Sequence, residues 1–341
     1  MMTRIGKWVR PTFLLGALVL AQATLSQTTA SALQNITVSL DFRPFGRHAG
    51  WFVALDKGYY KAAGLNVSII PSTGTAQAIQ SVESGAAQFA FTDVAAVVAA
   101  RANSGSNSKI IAMIYQKAPY ALFSLKSGAN LTEPKQLVGA EIGEGAGSFT
   151  SKVIDAFMLQ HKLDPKTVKY TQIDPAVRIN MLVTKKVPII VNYVLQQPGI
   201  EKALGDDAVT FLMADHGLKL YSNGIVARAD FLNAHPDWAR AFVEATLKGY
   251  AETFRDPEAA VDIVMKYQKA LSRDISLKEI AIVKSLVLGP DARAHGLGTI
   301  DMAQMQSSVD FVLGTISKGG QTMPASDVAD PSFLPKTPVM P

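Results

Sequence analysis

The chain has 341 residues, with 33 Lys and Arg against 28 Asp and Glu, a formal net charge of +5 and no cysteine. The missing thiol excludes disulfides, thiolate metal sites and a cysteine nucleophile. The basic residues form no tract interleaved with aromatics, so nucleic acid is not expected as a partner.

The first residues carry Arg4, Lys7 and Arg10 and no acid, then an apolar run over 13–21 and the small tripeptide Ala30-Ser31-Ala32. This is the layout of a secretory signal peptide over 1–32, with cleavage expected after Ala32. The apolar run is shorter than the roughly 20 residues that a bilayer span needs. Without a cysteine to carry a lipid, the released protein is expected to be unanchored and to work in the periplasm of a double-membraned bacterium. Discarding the three early cations leaves 30 basic residues against 28 acidic, a net charge of +2. What remains is too long for one ordinary core and long enough for two lobes.

Val38, Leu40 and Phe42 alternate with polar residues, which predicts a strand over 36–42. Arg43 to Gly46 break it. Phe52, Val53, Leu55 and Tyr59 then share a helical face, with Gly58 and Gly64 as stop and turn before a strand over 65–70. A strand, helix and strand in so few residues is a βαβ unit, whose first loop falls at the carboxyl edge of a sheet, where open α/β folds bind ligands. Four residues of that loop become candidate contacts. Phe42 and Phe45 offer rings for stacking and Arg43 offers a cation. His48 either hydrogen-bonds a heterocycle or packs on the helix it precedes.

Further strands are predicted over 89–92, 110–115, 120–126, 141–143, 168–172, 187–192 and 224–228, with helices over 75–84 and 150–161. Residues 236–318 read as almost wholly helical. The alternation argues for an α/β architecture. Thr92 and Asp93 end a strand and open an alanine-rich helix, so Asp93 suits both helix capping and acceptance from a ring amine. Tyr115 and Gln116 sit where the chain is expected to pass to a second lobe. The segment IGEGAGSF lacks the third glycine of G-x-G-x-x-G and the P-loop lysine. Ser148 and Phe149 therefore read as a helix start meeting the polar edge of a solute, not as a nucleotide site. Pro188 belongs at a strand start or edge, which places Asn192 and Tyr193 at the carboxyl end as a far wall. Tyr221 is the last aromatic candidate. His161, His216, His235 and His295 lack metal-ligand spacing, so neither metal nor cofactor is expected. Two crossings, near 117–120 and 228–235, would give lobe one as 33–118 with 231–341 and lobe two as 119–230.

The sequence LDFRPFGRHAG, followed by ALDKGYY and GLNV, resembles the NMT1/THI5-like solute-binding proteins. Arg43-Pro44 and His48-Ala49-Gly50 fit that pattern, whereas Phe42 stands where tryptophan is usual. The resemblance extends through SVESGAAQFAFTD and HPDWARAFVEATLKGY to ADPSFLP. It implies a type II, two-lobed periplasmic binding fold with two chain crossings and a helical C-terminal region. It also implies a monomeric receptor that closes by a hinge on a small solute and delivers it to permease and ATPase subunits of an ABC importer in the inner membrane, with no catalysis of its own. The implied solute is flat and heteroaromatic, a thiamine pyrimidine precursor or a flavin; an aromatic carboxylate or alkyl sulfonate is the alternative. A pyrimidine synthase of the same family is the alternative from another class. It is disfavoured because its cysteine-rich motif is absent. A periplasmic sensor input is not separable by sequence.

Overall fold

The computed structural model describes residues 1–3, 6, 8, 32–145, 150–174, 176–316 and 321–341. The chain divides into units 1–32 and 33–341, and the fold that follows is that of the second. Ile36, Val38 and Leu40 are almost completely buried, as the alternation requires. The strand they form is shorter than expected, because the chain bends at Asp41 to Arg43 before Phe42 can join it. The strands are β1 (Gln34–Ser39), β2 (Leu65–Ile70), β3 (Phe89–Asp93), β4 (Ser108–Met113), β5 (Tyr120–Leu125), β6 (Glu141–Glu144), β7 (Lys169–Gln172), β8 (Ile189–Tyr193), β9 (Ala208–Leu212) and β10 (Asn223–Arg228).

These strands form two five-stranded sheets, ordered β2-β1-β3-β10-β4 and β7-β6-β8-β5-β9. In the first, β1 runs parallel to β2 and β3, while β10 is antiparallel to both β3 and β4. In the second, β6 is parallel to β7 and β8, and β5 is antiparallel to β8 and β9. The chain leaves the first sheet after β4 and re-enters it at β10. The return therefore precedes Asn223, earlier than the sequence reading, which assigned 224–228 to lobe two. Ile225 instead pairs with Phe91 and Ala112 in the first sheet. The sequence reading also missed β9. Of its five residues only Phe211 is buried, as befits an edge strand with little apolar periodicity.

Helix Ala49–Asp56 packs on the long helix Pro236–Arg255. The two approach closely because Gly50 and Gly249 lie at the contact; a Cβ at Gly249 would strike the Gly50 carbonyl oxygen. Around them Trp51, Phe91, Phe89, Phe242 and Tyr250 fill the core, with Phe89 and Phe242 stacked at 4.0 Å. Burying rings of this size contributes the largest apolar areas available to a core. The second sheet carries its own apolar cluster around Ile142, Phe157 and Phe211.

Candidate functional site

After the bend, a single helical turn at Gly46–His48 sends Arg47 and His48 back beneath the sheet edge. There they meet Asp41. Its Oδ1 accepts from His48 Nε2 at 2.7 Å and from Arg47 Nη2 at 3.3 Å, and its Oδ2 accepts from Asn223 Nδ2 at 3.1 Å. His48 Nδ1 accepts the Phe45 backbone N–H at 3.0 Å, which fixes the neutral tautomer with its proton on Nε2. All four side chains are at least 95 % buried. Glu279, on helix Arg273–Val287, accepts the Arg47 backbone N–H at 3.1 Å.

Burial alone would raise the Asp41 carboxyl, yet the Arg47 charge and the His48 contact hold it down at about 2. Burial first, and then Arg47, push His48 down, in agreement with the neutral tautomer. Arg47 stays protonated: burial opposes its charge, but Asp41, Tyr115 and Glu279 together outweigh it. Asp93 behaves in the opposite way. Burial raises it to about 6, and the Asp41 charge adds to this against bonds from the Ala96 N–H and the Tyr193 hydroxyl.

Above this floor lies a cavity of 550 Å³, inside the range typical of small-molecule sites. Asp41, Phe42 and Arg47 line one side together with Thr73 to Ala76; Thr150, Asn192, Tyr193 and Gln196 line the other. It thus draws on the carboxyl edges of both sheets. Gly74 opens helix Thr75–Glu83 at φ +156° and ψ 172°, a region populated almost only by glycine. That turn places Gly74, Thr75 and Ala76, at the start of the helix, in the cavity wall. Tyr193 packs edge-on against Tyr120 at 5.5 Å. A larger cavity of 590 Å³, around Lys126, Lys202, Lys278, Asp206 and Asp274, has no buried polar side chain in its wall. The geometry of a binding floor belongs to the smaller one.

Phe42, Asn192 and Tyr193 line the cleft. Arg43 does not. It is exposed, with its guanidinium over the Phe45 ring at 4.8 Å, and Arg47 is the cation that reaches the cavity. Phe45 is half-buried between Arg43 and Arg47 and stacks on Phe42 at 6.1 Å. His48 has no nitrogen left for a solute and instead orients Asp41. The Thr92 hydroxyl donates to the Thr75 carbonyl at 3.1 Å, and Asp93 caps its helix through the Ala96 N–H at 2.6 Å. Tyr115 lies beneath the floor, its hydroxyl without a hydrogen-bond partner among the described residues. Gln116 Nε2 donates to the Thr299 carbonyl at 3.0 Å, and the Tyr221 hydroxyl accepts from the Asp301 N–H at 2.9 Å. Neither lines the cleft. Ser148 and Phe149 lie outside the described residues. The sequence reading missed Asp41, Arg47, Asn223 and the Thr73–Ala76 turn. The signal for Asp41 was present as an acid at the end of an apolar strand.

Two α/β sheets joined by two crossings, with a cleft between their carboxyl edges, define the periplasmic-binding-protein fold. The fold of the alkanesulfonate-binding protein SsuA of Xanthomonas axonopodis pv. citri is similar, with a TM-score of 0.66 at 11 % identity over 88 % of this chain and 100 % of that one. The sequence profile described as NMT1/THI5 like matches residues 46–260, and the chain belongs to that family. Among curated relatives, a riboflavin-binding protein, RibY, of Chloroflexus aurantiacus is 28 % identical over 281 residues, 79 % of this chain and 77 % of its own. A formylaminopyrimidine-binding protein of Halalkalibacterium halodurans is 22 % identical, covering 73 % and 76 %. The 4-amino-5-hydroxymethyl-2-methylpyrimidine phosphate synthase THI11 of Saccharomyces cerevisiae is 25 % identical, covering 72 % and 74 %.

Proposed function

We propose that this protein is an exported, unlipidated solute receptor of an ABC importer, working in the periplasm as a monomer. It captures a flat heteroaromatic solute between its two sheets and presents the closed form to permease and ATPase subunits. One lobe would comprise the first sheet with the C-terminal helices, and the other the second sheet. The observation that carries this reading is the Asp41–Arg47 floor of the 550 Å³ cleft. Among the described residues three donors occupy Asp41, which leaves one lone-pair direction on Oδ2. Arg47, which can only donate, lines the same cavity, and its Nε is buried without a partner among the described residues. An acceptor next to a donor suits a ring edge with the reverse pair, such as an aminopyrimidine or a ring imide. A simple anion would face the ionised Asp41.

Rings at Phe42 and Tyr193 could each add about 0.5–1.5 kcal/mol by stacking. Together with the floor this suits micromolar or tighter affinity, about 8 kcal/mol. The names of the riboflavin- and formylaminopyrimidine-binding relatives point to the same solute class. Closure follows because a solute touching both sheets binds the closed state better than the open one.

Thermal-shift screening with riboflavin, thiamine pyrimidine precursors, aromatic carboxylates and alkyl sulfonates tests this. Stabilisation by a heteroaromatic compound is expected. If only sulfonates or carboxylates stabilise the protein, the solute assignment is wrong. The yeast relative supports a second reading as a pyrimidine synthase. Against it, His48 is fully buried with both ring nitrogens engaged, which leaves it no access to chemistry in the cleft.

A further inference from the structure

Asn223 is the first residue of β10, where the returning chain rejoins the first sheet, and it is completely buried. Its Nδ2 donates to Asp41 Oδ2 at 3.1 Å, and its Oδ1 accepts the Ser222 hydroxyl at 2.9 Å. The amide orientation is fixed by chemistry, since an ionised Asp41 can only accept. Its main-chain carbonyl accepts two more hydrogen bonds, from the Ile114 N–H at 3.0 Å and the Tyr115 N–H at 2.8 Å. Those residues begin the outgoing crossing. The Ser222 N–H then donates to the Tyr115 carbonyl at 3.3 Å, which closes a loop between the two crossings. One residue thus touches the cleft floor with its side chain and both inter-sheet passages through its backbone and its neighbour.

We propose that Asn223 is a positioning residue that keeps Asp41 ionised and ties the cleft floor to the two chain crossings, so that a change at Asp41 is felt where the sheets are joined. The inference goes beyond solute recognition and does not depend on which solute is bound. Several groups face Asp41. Arg47 and His48 come from the first loop, Asp93 from the end of β3, Tyr115 from the outgoing crossing, Tyr193 from β8 and Tyr250 from helix Pro236–Arg255. Arg47 is the single positive charge in this set: His48 is neutral, the tyrosines are neutral, and Asp93 repels when ionised. Removing one of the three donors from Asp41 leaves a buried carboxylate oxygen unpaired, and this favours protonation.

The test is a carbon-13 NMR titration of aspartate-labelled protein, with the Asp41 signal assigned by its loss in D41N. In the wild type Asp41 should remain ionised to the lowest pH at which the protein is folded. In N223A its midpoint should rise by about one to two pH units, and N223L, which keeps the volume, should move it the same way. Neither variant removes the main-chain bonds of residue 223. A purely architectural Asn223 would lower thermal stability and leave the midpoint in place; an unchanged midpoint in both variants overturns the proposal. The link to the crossings is read separately by amide hydrogen exchange. D41A should speed exchange at Ile114 and Tyr115 by about tenfold relative to the residues of β4, and an equal rate overturns that part. If the midpoint moves while D41N leaves solute affinity unchanged, the positioning role stands and the solute site lies elsewhere.

Discussion

Asp41 concentrates the chemistry of the cleft, and its behaviour follows from three donors converging on one buried carboxylate. D41N keeps the shape and removes the charge, so solute affinity should fall about 10- to 100-fold, the worth of one charge-assisted hydrogen bond; isothermal titration calorimetry measures it directly. Asp93 supplies a prediction of opposite sign. Its carboxyl is raised from 3.8 to about 6 by burial, so the folded state binds the proton more tightly than the unfolded state between those values. Stability therefore falls as pH rises through that window, by up to ~3 kcal/mol, and the penalty is complete above pH 6. D93N retains a capping oxygen and cannot ionise. Urea unfolding of D93N should lose the decline between about pH 4 and pH 6 and show greater stability than the wild type at pH 7. At this scale the sequence was informative about neighbourhood and less so about orientation. Period-2 alternation, carried two residues too far, kept Phe42 in the strand, whereas the bend at Asp41 to Arg43 gave the buried position to Asp41. Choosing Arg43 over Arg47 failed for the same reason, because only the helical turn at Gly46–His48 decides which arginine faces the floor.

Elements were more legible than side chains. Nine of the ten strands were placed, and seven of those carry at least two fully buried apolar residues in short runs bounded by turns, a signal periodicity can read. The tenth, β9, sits at an edge with one buried residue, so no pattern announced it. The position of the return crossing was misjudged because pairing partners are non-local: nothing within Gly224–Arg228 states that it lies between β3 and β4. The contact between helices Ala49–Asp56 and Pro236–Arg255 gives the prediction proper to this scale. G249A should push the helices apart against the Gly50 carbonyl and cost about 1–3 kcal/mol, read as a lower Tm. G199A, at a position with open space around it, serves as the control and should leave Tm nearly unchanged.

For the whole molecule, the proposed capture of a solute between the two sheets would make binding and inter-sheet movement one equilibrium. A cognate solute at 100 times its Kd should stabilise the protein by about 2.7 kcal/mol and reduce the radius of gyration in small-angle X-ray scattering. Stabilisation without compaction would mean that the solute binds to one sheet alone. The two-lobed architecture was anticipated from alternating strands and helices, together with the loop resemblance. The composition of each lobe was not, because it depends on where β10 docks.

That docking also bears on how the chain is made. β4 ends at Met113 and its partner β10 begins at Asn223, so the whole second sheet is synthesised before the first can be completed. Until then β3 and β4 each present a bare hydrogen-bonding edge, the kind of surface that invites wrong partners, and closing the gap demands slow, long-range pairing. A chain that cannot finish its first half early stays unfolded for longer after synthesis. Under the export proposed above, in which the chain crosses a membrane before it folds, such delay would be an advantage.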